Sequence, residues 1–517
     1  MTQKPKQEQC TVYERNGQLI LAIDNEIVLP ENAPVRLTSA QLEELDYREL
    51  YRAYSAKGRK SKVDPRVLFR VTVYGYQCGI YSSRKLEEAC RYRVDFMWLL
   101  EEYPAPDHAT LARFRTGRCA EAVEGLFYQY VKLLEEQGET DHEVVFVDGT
   151  KLESSAGRYT FCWRGSTEKH LAKVKAKVFE RTGIEELDQL REYLEESRTD
   201  ISFVYGKGCR KSEVQRQWEE LDDLRQRWEK YEQSLQIMGN CRNSYSKTDP
   251  DATFMRLKDD HMRNGQLKPA YNVQIAVNSE YITGIDVFSN RTDVGTLVPF
   301  LKQVQRHHEI TYKAVTADAG YESLENYLFL EENGQLSLIK PANYEAQKTK
   351  KFKKQIGRIE NMVYNVEEDC FTCAEGRKLL LRRESTELQN GHFVTTAHYR
   401  CENCKNCPSR SACCQAKDPD KPKEVVLKKT FQEKRAQSQV NISTERGIYL
   451  RMCRSIQVEG AFALLKTDFG FRRFLTRGRK NVRTELFFLA MAFNLKKLWM
   501  KREKGRLKTH LSEIQVA

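Results

Sequence analysis

Apolar positions along the chain follow two rhythms, and the changes between them divide it. Up to about residue 138 the spacing is helical, with Val67, Leu68, Phe69, Val71, Tyr74 and Cys78 recurring on one face. Ser82 and Ser83, with Glu87 behind them, mark a helix start. Residues 83–90 and 106–115 predict short helices joined by a turn. Residues 144–147, Val-Val-Phe-Val, then predict a strand buried on both faces that ends at Asp148-Gly149-Thr150, with the acid at its carboxyl end. Residues 271–277 and 281–287, separated by Asn278-Ser279-Glu280, predict a hairpin. A helix over 296–307, a strand over 314–317 ending at Asp318, a helix over 323–332 and a strand over 336–339 follow. Near the end, residues 455–466 predict a helix carrying Glu459, and residues 484–500 a second one.

Two stretches interrupt this pattern. Residues 169–236 are dense in charge, and Leu221, Leu224, Trp228, Tyr231 and Leu235 form a heptad seam. With Ile184, Leu187, Leu190 and Leu194 in an earlier helix, the seam either folds back as a helical hairpin or pairs with a second copy. The other stretch is rich in cysteine: of the 15 cysteines, seven lie between Cys370 and Cys414. Cys370 with Cys373 and Cys401 with Cys404 form two Cys-x-x-Cys pairs, followed by Cys407, Cys413 and Cys414. Four such thiolates suit a tetrahedral structural Zn2+ in a small ribbon, with Cys407 and Cys413 competing as ligands. Reduced free thiols or redox pairs are the alternatives. A catalytic zinc is not expected, because no open His or carboxylate position accompanies the thiols.

Charge adds a partner to this picture. Lys and Arg number 85 against 73 Asp and Glu, a formal net charge of +12, and the excess is clustered. Basic runs occupy residues 57–62, 350–354, 472–480 and 496–508. A polyanion is the natural partner, and Arg472, Arg473, Arg477, Arg479 and Lys480 are the best placed because they follow the Glu459 helix. The longest apolar run, residues 486–493, is far short of the roughly 20 needed to span a bilayer. The first residues also lack the apolar stretch of a secretory signal, so a cytoplasmic, reduced and non-membrane protein is expected. His108 and His261 have no ligand-like neighbours and read as ordinary polar residues.

With the inserts removed, the order is a strand bearing Asp148, a hairpin, a helix, a strand bearing Asp318, a helix, a strand and a late helix bearing Glu459. That is the order of an α/β, ribonuclease-H-like mixed sheet, which would bring the three acids together. Carboxylates so placed suit Mg2+ or Mn2+, which prefer hard oxygen ligands, and two such ions serve phosphodiester chemistry.

The motifs Val147-Asp148-Gly149-Thr150-Lys151, Asp249-Pro250-Asp251-Ala252, Tyr271-Asn272-Val273-Gln274, Ala317-Asp318-Ala319-Gly320-Tyr321 and Val458-Glu459-Gly460-Ala461-Phe462 resemble those of bacterial insertion-sequence DDE transposases. Residues 63–115 resemble the helical, InsH-type N-terminal domain of the same proteins. The resemblance implies Asp148, Asp318 and Glu459 as the catalytic, metal-binding triad and Lys466 as a DNA-phosphate contact. The family's Arg four residues before the Glu is Ser455 here, with Arg454 as its substitute. It further implies an all-α DNA-binding domain over 1–138, a catalytic domain over 139–500 with inserts at 169–245 and 360–425, and a basic tail over 501–517. The expected function is a transposase that binds its element's double-stranded ends as a dimer or larger oligomer, cuts them and joins 3′-hydroxyls to target DNA, in a bacterial, nucleoid-associated setting. A catalytically inactive zinc-stabilised DNA-binding protein and a simple metal-dependent nuclease are the competing expectations.

Overall fold

The computed structural model describes residues 29–54, 61–206, 208, 210–240, 242–257, 265–308, 311–389, 391–414, 416, 418 and 421–511. His261 and residues 57–60 of the first basic run lie outside the described residues, as does the end of the basic tail.

A six-stranded mixed sheet organises the chain: β1 (Val144–Glu153), β2 (Thr253–Arg256), β3 (Leu267–Asn278), β4 (Tyr281–Phe288), β5 (Ala314–Ala317) and β6 (Leu336–Ile339). β1 is central, antiparallel to β3 and parallel to β5, and β5 is parallel to β6. Both faces are covered, which is why the Val-Val-Phe-Val run has no polar position. Val144 and Phe146 enter one core, and Val145 and Val147 the other. The hairpin β3–β4 turns where expected, with Ser279 and Glu280 both at positive φ (50° and 72°), the backbone that a two-residue turn between twisted strands requires.

β1 corrects one expectation. It does not stop at Asp148 but runs on to Glu153, because β3 is long enough to pair with it down to Ala270. Asp148 therefore stands where the parallel pairing with β5 ends, not where the strand ends.

The helices before the sheet, among them α1 (Pro34–Glu43), α2 (Pro65–Gln77) and α3 (Val123–Glu136), have no core of their own. They share one with the sheet and with the long C-terminal helix α11 (Arg479–Glu503). The Asp-Pro and Pro-Asp motifs here are helix starts: the Asp64 side chain accepts from Arg66 N and that of Asp107 from Thr110 N, so each satisfies a backbone donor that a helix end leaves free. Arg115 turns inward and donates to the Tyr81 carbonyl at 2.7 Å. Arg113 is exposed.

On the other face of the sheet lie α7 (Leu297–His308) and α8 (Leu324–Glu332). The charge-dense insert folds back on itself as α4 (Arg164–Thr182), α5 (Leu187–Thr199) and α6 (Glu213–Met238). Its seam residues Leu221, Leu224 and Trp228 are buried against Val174, Val178, Leu190 and Leu194, so the seam is satisfied within one chain.

The cysteine-rich stretch differs from a small ribbon. It belongs to a five-stranded antiparallel sheet of β7 (Val363–Asn365), β8 (Cys370–Thr372), β9 (Lys378–Gln389), β10 (His392–Cys401) and β11 (Glu424–Lys428). The chain leaves it through α9 (Lys429–Ser443) and α10 (Glu445–Arg454). No helix among the described residues is long and apolar enough to cross a membrane.

Candidate active site beside the β1–β5 pair

The parallel register pairs Val144 with Ala314, Val145 with Val315 and Phe146 with Thr316. Asp148 lies two residues beyond the last pair on β1, and Asp318 two residues beyond it, just past the end of β5. Each acid is held by a nearby backbone amide: Gly149 N, within β1, donates to Asp148 Oδ1, and Gly320 N, in the turn after β5, to Asp318 Oδ1, both at 2.8 Å. The glycines are needed for space. A Cβ on Gly149 would lie 2.8 Å from Asp293 Oδ1, and one on Gly320 would lie 3.0 Å from Asp318 Oδ1.

The third expected acid is placed differently. α10 continues into a π-helical segment, Ser455–Glu459, then a short α-helical turn and a second π-helical segment, Leu464–Asp468. The single α-helix predicted over 455–466 is thus wound more loosely at both ends, a form common where a helix passes a functional site. The first segment packs on β1 and β3 through buried Gln457 and Val458. Glu459 at its end is exposed, and its carboxylate has no hydrogen-bond or ion-pair partner among the described residues. The half-buried Lys466 lies in the second segment.

Arg454 reaches Asp148 directly, with Nη1 3.2 Å from Oδ2 and both side chains mostly covered. It was expected at DNA and is instead turned to the first acid.

A residue that sequence reasoning missed completes the neighbourhood. Asp293 lies between β4 and α7, a position that reads as a helix cap. Its side chain instead accepts from Asn272 Nδ2 at 2.7 Å and Gln274 Nε2 at 3.1 Å, both on Oδ1. Gln274 in turn accepts from the Tyr321 hydroxyl. Burial raises the Tyr321 phenol well above its ordinary pKa, and Asp293, Asp148 and Asp318 add to the rise while Arg454 opposes it. These four charged groups therefore all face one buried tyrosine. The available signal was the pair of polar residues, Asn272 and Gln274, in an otherwise apolar strand: fully buried amides need partners.

The basic run after Glu459 lies beside β1, partly occupied in holding the chain. Arg473 donates to the carbonyls of Ser154 at 3.0 Å and Ala156 at 3.2 Å, and Arg477 to that of Ser155. Arg479 pairs with Asp286 at 3.5 Å and Lys480 with Glu121 at 2.9 Å. Arg472 is exposed and makes only a long contact, 3.4 Å, to the Lys466 carbonyl.

The cysteines separate into two groups. Cys373, Cys401, Cys404, Cys407, Cys413 and Cys414 line one cavity, whereas Cys370 turns away and donates to Glu368 Oε2 at 3.4 Å. In β8 it is Phe371, one residue on, that enters the local core, so strand alternation puts Cys370 on the opposite face. The four-thiolate set drawn from two Cys-x-x-Cys pairs is not formed. All the described cysteines are free thiols. No group of three or more His, Cys, Asp or Glu among the described residues is gathered so as to hold a metal ion.

Two family models match the chain. A transposase DDE domain matches residues 372–499 and a transposase domain of the DUF772 type matches residues 24–117. The first match includes Glu459 and the basic run; Asp148 and Asp318 lie outside it. No curated protein and no solved structure matches. Both are transposase families; each match covers less than half of the chain, and together they indicate similarity to DNA transposases. More particularly, the pair of matches supports an insertion-sequence DDE transposase, and the mixed sheet is consistent with a ribonuclease-H-like core.

Proposed function

We propose that the protein binds the ends of its own insertion sequence, hydrolyses phosphodiester bonds there and joins the freed 3′-hydroxyl to target DNA, with Asp148, Asp318 and Glu459 as the acidic triad. The observation that supports this reading is the parallel β1–β5 pairing, whose last pair, Phe146 with Thr316, lies two residues before Asp148 and Asp318 on their chains.

Hard carboxylate oxygens fit Mg2+ or Mn2+. Magnesium is commonly held by only one or two carboxylates, with water and substrate phosphate completing its shell, so a pair of aspartates meets the requirement without a full protein cage. Such a cation lowers the pKa of a bound nucleophile and neutralises charge developing on the phosphate. Asp148 and Asp318 would hold it and Glu459 would approach from the exposed end of its π-helical segment. Arg454 balances the charge of Asp148 and must give way when a cation takes that place. Lys466 and Arg472 would contact backbone phosphates, Arg473, Arg477, Arg479 and Lys480 would hold the loop that presents them and add to its positive field, and the helices before residue 139 would read the element end. The six-cysteine cavity has the soft donors that zinc prefers. Its ligands would come from Cys373, Cys401, Cys404, Cys407 and Cys413, without Cys370.

The test is cleavage and strand transfer on paired element ends with Mg2+. In Asp318→Asn, cleavage and joining should fall below about one-thousandth of wild type, as loss of a principal transition-state contact implies, with end binding retained. Cleavage that persists in this variant rules out the triad. Wild-type cleavage without joining identifies a nuclease, and neither activity identifies a DNA-binding protein.

A further inference from the structure

Asp293 has an arrangement that neither the expected triad nor ordinary packing explains. Oδ1 takes both amide donors, Asn272 at 2.7 Å and Gln274 at 3.1 Å. Oδ2 accepts no hydrogen bond and makes no ion pair among the described residues, and it faces the Gly320 turn, 3.5 Å from where a Cβ would be. Two neutral amides orient this carboxylate and leave its charge unbalanced. The same residue closes the space over Gly149, the neighbour of Asp148, and abuts the turn that fixes Asp318. Residues just outside a metal's ligands orient those ligands and tune the metal's affinity, and Asp293 lies against the neighbours of both acids.

We infer that Asp293 is a positioning residue of the candidate site: held by Asn272 and Gln274, it packs against Gly149 and Gly320 beside the two acids, and its unpaired charge strengthens the site's hold on a divalent cation. This rests on the proposed function. Asp148 is drawn to Arg454, so the three aspartates do not close round one point; a cation displacing Arg454 would enter a field already made more negative by Asp293. Without a cation, that charge is a liability to its acidic neighbours.

The experiment uses full-length protein stripped of metal and titrated with Mn2+ alone, read by electron paramagnetic resonance and by thermal melting. Asp293→Asn keeps an acceptor for Asn272 and Gln274 and removes only the charge. Its Mn2+ affinity should fall about tenfold or more, while its melting temperature in chelator stays level or rises. Unchanged affinity overturns the inference, and so does a lower melting temperature in chelator with affinity retained, which marks a merely structural hydrogen bond. Asp318→Asn separates the two claims. If it abolishes Mn2+ binding and Asp293→Asn does not alter it, the inference alone fails. If neither changes it, or wild type takes up no Mn2+, the proposed function fails and the inference with it. Should Asp293→Asn not fold, wild-type protein still decides: Fe2+ with ascorbate should cut the backbone near residues 148, 293 and 318, and cuts near 148 and 318 without one near 293 overturn the inference.

Discussion

Single residues around the candidate site are fixed by space as much as by charge. Gly149 has no room for a methyl group, since its Cβ would press on Gln274 and lie 2.8 Å from Asp293 Oδ1. Both neighbours are tied into the buried network that ends at Tyr321, so neither can swing away cheaply. Gly149→Ala should therefore lower stability by about 1–3 kcal/mol, the usual cost of overpacking, measured by denaturant unfolding. Gly125 is the internal comparison. It sits on the exposed side of α3 with nothing within 4 Å of its Cβ, and Gly125→Ala should stabilise by about 0.5–1 kcal/mol by restricting the unfolded chain. Equal effects at the two positions would contradict the close approach described for Gly149.

Elements were legible in the sequence where local pattern and tertiary context agreed. The Val-Val-Phe-Val strand, the β3–β4 hairpin, α7, α8 and β6 all lie within a few residues of their expected places, because each is buried on the face its periodicity marks. One reading was corrected, one was not confirmed and one residue went unread, each for a physical reason. The length of β1 is set by its partner β3. The cysteine pairs suggested a ribbon, but strand alternation turns Cys370 away from the others. Asp293 was hidden because an acid ahead of a helix ordinarily caps it. Of the site itself, Asp148 and Asp318 could be read from the apolar runs that precede them, whereas Arg454 on Asp148 required the fold. At this scale the junction of α3, β4 and α11 gives a pH prediction. Arg483 bridges Asp286 at 2.7 Å and Glu124 at 2.8 Å. Burial alone would push the Glu124 carboxyl up, but His307, Arg483 and Gln303 outweigh it and hold it down at about 2. A carboxyl lowered by folding contributes stability above its unfolded value of 4.5, and that contribution is lost as pH falls towards 2. Wild type should lose about 2 kcal/mol from this group across that interval, allowing for its partial exposure. Arg483→Met should flatten that part of the stability profile, and an unchanged acid slope would contradict the assignment.

At the scale of the whole molecule, a net charge of +12 has to be divided between charges that hold the protein together and charges left for a polyanion. The run from Arg472 to Lys480 shows both uses side by side. Arg473 spends its guanidinium on the carbonyls of Ser154 and Ala156, tying the last loop to the far end of β1. Arg472, one residue earlier and likewise exposed, has no acidic partner among the described residues. A guanidinium bound to buried chain cannot be removed without freeing those carbonyls, whereas one in solvent can be removed at little cost to folding. Arg472→Gln should therefore leave stability within about 0.5 kcal/mol of wild type. It should also weaken DNA binding on all sequences alike and reduce the slope of log affinity against log salt by about one. Arg473→Gln should lower stability by about 1–2 kcal/mol through the lost charge-assisted hydrogen bonds, with a smaller change in salt slope. Unfolding curves and binding titrations at several salt concentrations, run on both variants, separate the two roles. A salt slope that falls in Arg473→Gln and not in Arg472→Gln would reverse the assignment, placing DNA on the β1 side of the loop.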